Sequence, residues 1–139
     1  MFSIPCIIGE TKIDKAMLDL GASINVLPSS LYESLKLPPL QDTKLVIQLA
    51  DGTNVYPKGV IEDVLVMVDK LIFPTDFYVL DMGSGVGTPM LLGRPFMKTA
   101  NFTINVISGK LTMEFDGDVV EYNIYDMNPT HIPLCATLM

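Results

Sequence analysis

A single carboxylate interrupts an apolar stretch near the start of the chain. Residues 16–27 read AMLDLGASINVL, so Asp19 follows one apolar segment and precedes a glycine turn and a second apolar segment. An unpaired charge is costly to bury, and it then needs a partner or a proton. Aspartate is also a common turn residue. Asp19 is therefore either a turn former or a buried carboxylate available for acid–base chemistry.

A second apolar segment that ends in glycine begins about seventy residues after Asp19. Residues 90–96 read MLLGRPF and repeat the apolar-apolar-glycine pattern. Between the two motifs, residues 45–54 read LVIQLADGTN, an apolar segment that leads into an Asp-Gly turn signal. The two motifs in this order, with a hairpin-like segment between them, are more specific than either motif alone.

Together these segments resemble the retropepsin-like aspartic proteases, especially the protease-like domains of plant LTR-retrotransposon (gypsy-type) polyproteins. The resemblance covers about residues 2 to 115. The first family motif is apolar-apolar-Asp-Ser/Thr-Gly-Ala, and residues 17–22, MLDLGA, match it at every position except Leu20. The second family motif is apolar-apolar-Gly-Arg before a short helix, which residues 91–94, LLGR, match.

The resemblance implies an all-β, closed-barrel-like retropepsin fold with one or two short helices. It implies that Arg94 ties the second helix to the core or to a partner subunit, unless it is an ordinary surface arginine. The implied site consists of Asp19 as the catalytic residue, Leu20, Gly21, Ala22 and Ser23 as the active-site loop, Ala50, Asp51, Gly52, Thr53 and Asn54 as the flap, and Leu91, Leu92, Gly93 and Arg94 as a supporting motif beneath the loop.

Aspartic protease chemistry needs two carboxylates about 3 Å apart that share one proton. One acts as general base on a water molecule, while the other donates a hydrogen bond to the scissile carbonyl. The chain has one Asp-x-Gly-Ala motif, so an active enzyme must be a homodimer in which each copy contributes Asp19 at a two-fold axis. We therefore expect an aspartic endopeptidase for an extended peptide or polyprotein substrate, with no cofactor and no metal ion.

Leu20 is the departure from the family pattern that keeps an alternative open. In the family this position is Thr or Ser, whose hydroxyl hydrogen-bonds across the dimer axis, and a leucine side chain has neither donor nor acceptor. We expect a weak or absent protease for this reason. The main alternative is a non-catalytic protease-like domain that dimerises or binds peptides. A small β-barrel ligand carrier is a third hypothesis, in which Asp19 has no evident role.

Composition supports a single domain with a buried subunit interface. The 139 residues suffice for one domain, which we place at residues 1–125, followed by a C-terminal tail or linker over residues 126–139. Hydrophobic residues make up 49 % of the chain, although no apolar run is long enough to span a membrane. This high apolar content without a membrane segment is better explained by an interface between subunits.

The net charge and the first residues of the sequence argue against nucleic-acid and membrane partners. The formal net charge is −7 and the nine basic residues are scattered, which disfavours nucleic-acid binding. The first residues lack the basic region of a signal peptide, so we expect an intracellular, cytoplasmic protein with no membrane partner. Cys6 and Cys135 are expected to be reduced thiols, and His131 lies between prolines in the tail, a poor place for a general base.

Short apolar or alternating runs predict strands over most of the chain, with two helices. We expect a helix over residues 28–35, capped by Ser29 or Ser30, and a second over residues 94–99. Residues 45–50 and 60–68 are expected to form the two arms of one hairpin. A further hairpin is expected to pair residues 102–107 with residues 110–115.

Overall fold

A computed structural model describes residues 2–48, 51–81 and 90–123. The predicted flap residue Ala50 and the predicted tail over residues 126–139 lie outside the described residues. In chain order the elements are β1 (Phe2–Ile8), β2 (Thr11–Leu18), β3 (Val26–Pro28), α1 (Ser29–Ser34), β4 (Ile47–Gln48), β5 (Asn54–Val55), β6 (Gly59–Val68), β7 (Leu71–Leu80), β8 (Met90–Leu92), α2 (Arg94–Thr99), β9 (Thr103–Asn105), β10 (Lys110–Phe115) and β11 (Asp118–Asn123).

Six strands close into a barrel in the order β1-β2-β8-β3-β7-β6. The long strands β6 and β7 alternate buried and less buried residues along most of their length, as expected for strands with one face toward a core. The barrel closes where β1 pairs with β6, with Ile8 opposite Val66. Strands β9, β10 and β11 form a separate three-stranded sheet, and β4 pairs with β5 alone.

The short strand β8 lies between β2 and β3 and brings the two sequence motifs together. It runs parallel to β2, with Leu18 opposite Leu92, and antiparallel to β3, where Val26 lies opposite Leu91. All residues of β3 and β8 are buried, which explains why these segments are continuously apolar and do not alternate. Because parallel strands end on the same side, the residues after β2 and after β8 meet at one edge of the barrel.

Two buried apolar clusters stabilise the barrel. In the larger cluster, Phe73 of β7 makes edge-to-face contacts with Phe96 of α2 and Phe115 of β10, with ring centroids 5.3 and 5.4 Å apart. These contacts join the barrel to α2 and to the three-stranded sheet. The smaller cluster, hereafter the flap-side cluster, consists of Met17, Val26, Ile47, Leu80 and Leu91.

The predicted fold class, an all-β closed barrel with one or two short helices, is confirmed by this architecture, which has two described helices. The predicted helices correspond to α1 and α2, although the predicted serine cap of α1 is wrong. Pro28 occupies the N-cap position and no side chain caps that helix. Of the described helices, neither is long and apolar enough to cross a membrane.

The predicted pairing of residues 45–50 with residues 60–68 is also wrong. Strand β4 pairs with β5 across the turn at Asp51 and Gly52, whereas β6 pairs with β7 and β1. The physical reason is loop closure. The β4–β5 turn and the β6–β7 turn each join strands that are immediate neighbours in the chain, which costs less entropy than pairing more distant segments. The second turn, at Asp69 and Lys70, gives β6 a ten-residue antiparallel partner in β7, which buries far more apolar surface than the short flap arm could.

Candidate active site

Asp19 is the first residue after β2, and the neighbouring motif holds its backbone. Its N–H donates a hydrogen bond to the carbonyl oxygen of Leu92 at 3.0 Å, which extends the β2–β8 pairing by one bond. The residue is only 5 % exposed, although Leu20 directly after it is 57 % exposed. Asp19 therefore lies at the edge of the barrel, beneath a turn whose first residue, Leu20, exposes its side chain to solvent.

The two carboxylate oxygens of Asp19 have different environments. Oδ1 accepts a hydrogen bond from the Gly21 N–H at 2.9 Å. Oδ2 is buried and has no hydrogen-bond partner among the described residues. A buried polar atom without a partner costs about 1–3 kcal/mol, and more when it is charged, so it calls for an explanation. The explanation must come from outside the described part of this single chain.

The predicted active-site loop is a tight turn at the barrel edge. The Ala22 N–H donates to the carbonyl oxygen of Asp19 at 3.2 Å, which closes the turn over Leu20 and Gly21. The φ angle of Gly21 is not in the left-handed region, and its N–H donates the hydrogen bond to Oδ1 of Asp19. Ala22 is fully buried and Ser23 is partly buried, so the chain returns into the barrel after two exposed residues.

The supporting motif packs directly against this loop. A Cβ atom on Gly93 would collide with the carbonyl oxygen of Ile24 and would lie 2.7 Å from that of Ala22. Only a glycine permits this approach, which is the close-contact use of the residue. The Arg94 N–H donates to the carbonyl oxygen of Ala22 at 2.9 Å. Leu91 and Leu92 are fully buried in β8, and the four residues of the motif thus lie beside and beneath the Asp19 turn.

Asn25 is a site-adjacent residue that the motif comparison did not single out. It is 3 % exposed, its Oδ1 accepts from the Gly93 N–H at 2.8 Å, and its Nδ2 donates to the carbonyl oxygen of Asp76 at 3.1 Å. The sequence does carry a signal for it. Asn25 is an amide-bearing residue immediately before the apolar strand β3, and a buried amide needs hydrogen-bond partners.

The Arg94 side chain is exposed and has no hydrogen-bond or ion-pair partner among the described residues. Among the described residues, therefore, no hydrogen bond or ion pair makes the predicted tie between this side chain and the core. Its backbone N–H donates a hydrogen bond to the active-site loop. A contact between this guanidinium and a partner subunit stays a prediction.

The flap hairpin is anchored next to the site through its first strand. Ile47 of β4 is buried in the flap-side cluster with Met17, which lies two residues before Asp19, and with Leu91 of the supporting motif. At the turn, Gly52 has a φ of +89°, which favours glycine. Asp51 Oδ1 accepts from the Thr53 N–H at 2.8 Å, and this hydrogen bond holds the pKa of the Asp51 carboxyl below its usual value.

The remaining chemistry-bearing groups offer no competing site in the part of the chain that is described. No group of three or more His, Cys, Asp or Glu side chains there could hold a metal ion. Burial raises the pKa of the Cys6 thiol to about 12, so this thiol stays protonated and is a poor nucleophile. The Asp19 turn, the supporting motif and the base of the flap are thus the functional candidates that the fold brings together.

Comparisons with known proteins agree with this geometry. The sequence profile of the family described as "Aspartyl protease" matches residues 4–96. No curated protein matches the chain. Among solved structures, the chain is similar to the retroviral protease-like domain of Ddi1 from Leishmania major, with a TM-score of 0.64 and 22 % sequence identity over 92 % of this chain and 98 % of that chain. This likeness shows a retropepsin-like fold. By its sequence match, the chain belongs to the aspartyl protease family.

Proposed function

We propose that this chain is an aspartic-type endopeptidase that acts as a homodimer. The observation that carries the proposal is Asp19 Oδ2, a buried carboxylate oxygen without a partner among the described residues, beneath the exposed Leu20. Oδ2 is covered within one chain, so in the proposed dimer the turn above it shifts and the Asp19 carboxyl of a second copy supplies the missing partner. Contact between the two turns also removes Leu20 from water. Membership of the aspartyl protease family supports the same reaction class.

In the proposed dimer, the two Asp19 side chains share one proton across the two-fold axis. The ionised carboxylate takes a proton from a water molecule, whose oxygen attacks the scissile carbonyl carbon. The protonated carboxyl donates its hydrogen bond to the carbonyl oxygen. The Gly21 N–H, bound to Oδ1, restricts rotation of each carboxylate.

The substrate of this proposed enzyme is an extended segment of a polyprotein. Strands β4 and β5 pair only with each other among the described residues, so the flap offers free backbone donors and acceptors. An extended peptide pairs with such groups as an added strand. Apart from Leu20, residues 17–22 and 91–94 resemble plant gypsy-type polyprotein domains, and this resemblance supports a polyprotein as the source of the peptide.

Dimerisation through the Asp19 turn is the first expected result. In sedimentation experiments at micromolar concentration, the wild-type chain is expected to have the mass of two copies. Leu20→Asp is expected to shift it to the monomer, because it places two like charges at the axis. Leu65→Asp is the matched control, since Leu65 of β6 is 58 % exposed and Leu20 57 %. A wild-type monomer at high micromolar concentration would contradict the proposal.

A specific observation favours a second candidate, a non-catalytic domain that dimerises or binds peptides. Leu20 has no hydroxyl to hydrogen-bond across the axis, yet its apolar side chain is free to pack against its symmetry mate. Such packing recovers about 1.5–3 kcal/mol per side chain. It holds two copies together without fixing the carboxylates, and catalysis depends more strongly on their placement than binding does.

Leu20→Thr separates the two candidates. We expect it to raise the rate of peptide cleavage about 5- to 30-fold, the factor that corresponds to one or two recovered hydrogen bonds. Leu65→Thr, at an equally exposed position, controls for the same change of side chain. Rapid cleavage by the wild type that is unchanged or slower in Leu20→Thr would show that Leu20 does not impair catalysis. Dimerisation and peptide binding without cleavage in either form would favour the second candidate.

A further inference from the structure

Asn25 links three segments of the barrel through one buried side chain. Its Oδ1 accepts from the Gly93 N–H at 2.8 Å, and its Nδ2 donates to the Asp76 carbonyl oxygen of β7 at 3.1 Å. Its own carbonyl oxygen accepts from the Tyr78 N–H at 3.0 Å. At 3 % exposure, this amide has both of its polar atoms paired inside the protein. It thus ties the end of the Asp19 loop to both the supporting motif and β7.

Three hydrogen bonds join residues 19–25, the active-site loop and its flanks, to the supporting motif. The Asp19 N–H donates to Leu92, the Arg94 N–H donates to Ala22, and the Gly93 N–H donates to Asn25 Oδ1. The first two lie entirely in the backbone, so no change of side chain removes them directly. The third uses a side chain and lies between the other two along residues 92–94. It is the one bond of the three that the residue type at position 25 decides.

This bond holds two backbones at their closest permitted approach. Gly93 lies so near the carbonyl oxygens of Ala22 and Ile24 that no Cβ fits between them. Of these two oxygens, that of Ala22 accepts a hydrogen bond from the Arg94 N–H, one residue beyond Gly93. The Asn25 amide supplies attraction at this point, because its oxygen takes up the Gly93 N–H that would otherwise be buried without a partner.

We propose that Asn25 is a positioning residue of the active site, which sets the placement of the Asp19 turn through Gly93. This inference rests on the proposed function, and it assigns Asn25 no contact with substrate. The donor half of the amide anchors the side chain on β7, and the acceptor half holds Gly93 against the loop. When the acceptor is lost, Gly93 and the turn over Asp19 move apart while the barrel itself remains.

The test compares Asn25→Ala with Thr75→Val in the full chain. Thr75 of β7 is also buried, and its hydroxyl donates to the Phe73 carbonyl oxygen at 3.0 Å, so both variants remove buried side-chain hydrogen bonds. Asn25→Ser is the milder variant should Asn25→Ala not fold, because a hydroxyl leaves room for a water molecule. Asn25→Asp retains an acceptor for Gly93 and, when protonated at mildly acidic pH, also a donor for Asp76.

Hydrogen exchange measures loop placement without any need for cleavage. In Asn25→Ala or Asn25→Ser, exchange at the Ala22 and Arg94 amides is expected to rise about tenfold more than at the slowest barrel amides, which report global unfolding. In Thr75→Val both groups of amides are expected to change by the same factor. Asn25→Asp at mildly acidic pH is expected to return the ratio to the wild-type value. Equal changes in both groups of amides in the Asn25 variants would overturn the proposal.

Steady-state kinetics then test whether Asn25 affects catalysis. Asn25→Ala is introduced into whichever of the wild type and Leu20→Thr cleaves the peptide faster. Asn25→Ala is expected to lower kcat about tenfold to a hundredfold with KM changed less than about twofold, since misplacement of reacting groups reduces the chemical step. A raised KM with unchanged kcat would overturn the proposal. If no form cleaves a peptide but the exchange ratio changes as expected, the positioning role stands and the proposed enzymatic function fails.

Discussion

Asp19→Asn is expected to abolish peptide cleavage while leaving the dimer intact. An amide cannot take a proton from water, so the general base is lost and the rate is expected to fall at least about a thousandfold. The fold is expected to persist, because the amide oxygen still accepts from the Gly21 N–H. The measurement is cleavage of a peptide substrate at mildly acidic pH, together with sedimentation of the same sample.

Asp14→Asn is the matched control for this substitution. Asp14 lies on the same strand, β2, and its exposed carboxylate is 3.9 Å from the Lys12 ammonium group, a surface pair of small energetic value. Cleavage is therefore expected to be unchanged in Asp14→Asn. Activity that survives Asp19→Asn would contradict the assignment of Asp19 as the catalytic residue, whatever the fold.

Gly93→Ala is expected to have the largest effect on stability. The added Cβ would overlap the carbonyl oxygen of Ile24 and crowd that of Ala22, and neither backbone atom can move without opening the β3–β8 pairing. We expect the free energy of unfolding to fall by about 3 kcal/mol or more, the upper range for overpacking. Urea denaturation followed by circular dichroism measures the change.

Gly9→Ala is the control for glycine replacement in general. Gly9 has a φ of +62° in the turn between β1 and β2, and a Cβ there meets no atom within 4 Å. Gly9→Ala therefore lowers the free energy of unfolding only by the cost of placing alanine in the left-handed backbone region, about 1–2 kcal/mol. A loss in Gly93→Ala no larger than the loss in Gly9→Ala would show that the loop and the supporting motif are free to separate.

Strand β8 and helix α2 show what the sequence alone predicts well. The apolar run from Met90 to Leu92 is buried on both sides, and Gly93-Arg94-Pro95 then starts a helix, so pattern and structure coincide there. The flap was harder to predict. Its arm at residues 45–50 is as apolar as the neighbouring strands. Which strand it pairs with depends on loop closure and on the apolar area buried, and the hydrophobic pattern of the sequence specifies neither.

The environment of the candidate site was predictable only in part. The motif places Asp19 after a strand and beside Gly93, and the β2–β8 pairing shows how this comes about. The unequal surroundings of its two oxygens depend on atomic contacts that no sequence motif specifies. The same holds for Asn25, whose two hydrogen bonds reach residues 51 and 68 positions away in the chain.

The distance between the two Asp19 carboxylates in a crystal structure of the dimer decides whether they form a catalytic pair. The proposed enzyme requires the nearest carboxylate oxygens of the two copies to lie about 3 Å apart across a two-fold axis, close enough to share one proton. Asp19 Oδ2, which has no partner among the described residues of one chain, would be one of those oxygens. A dimer formed through another surface, with the two carboxylates more than about 10 Å apart and screened from each other, would contradict the account.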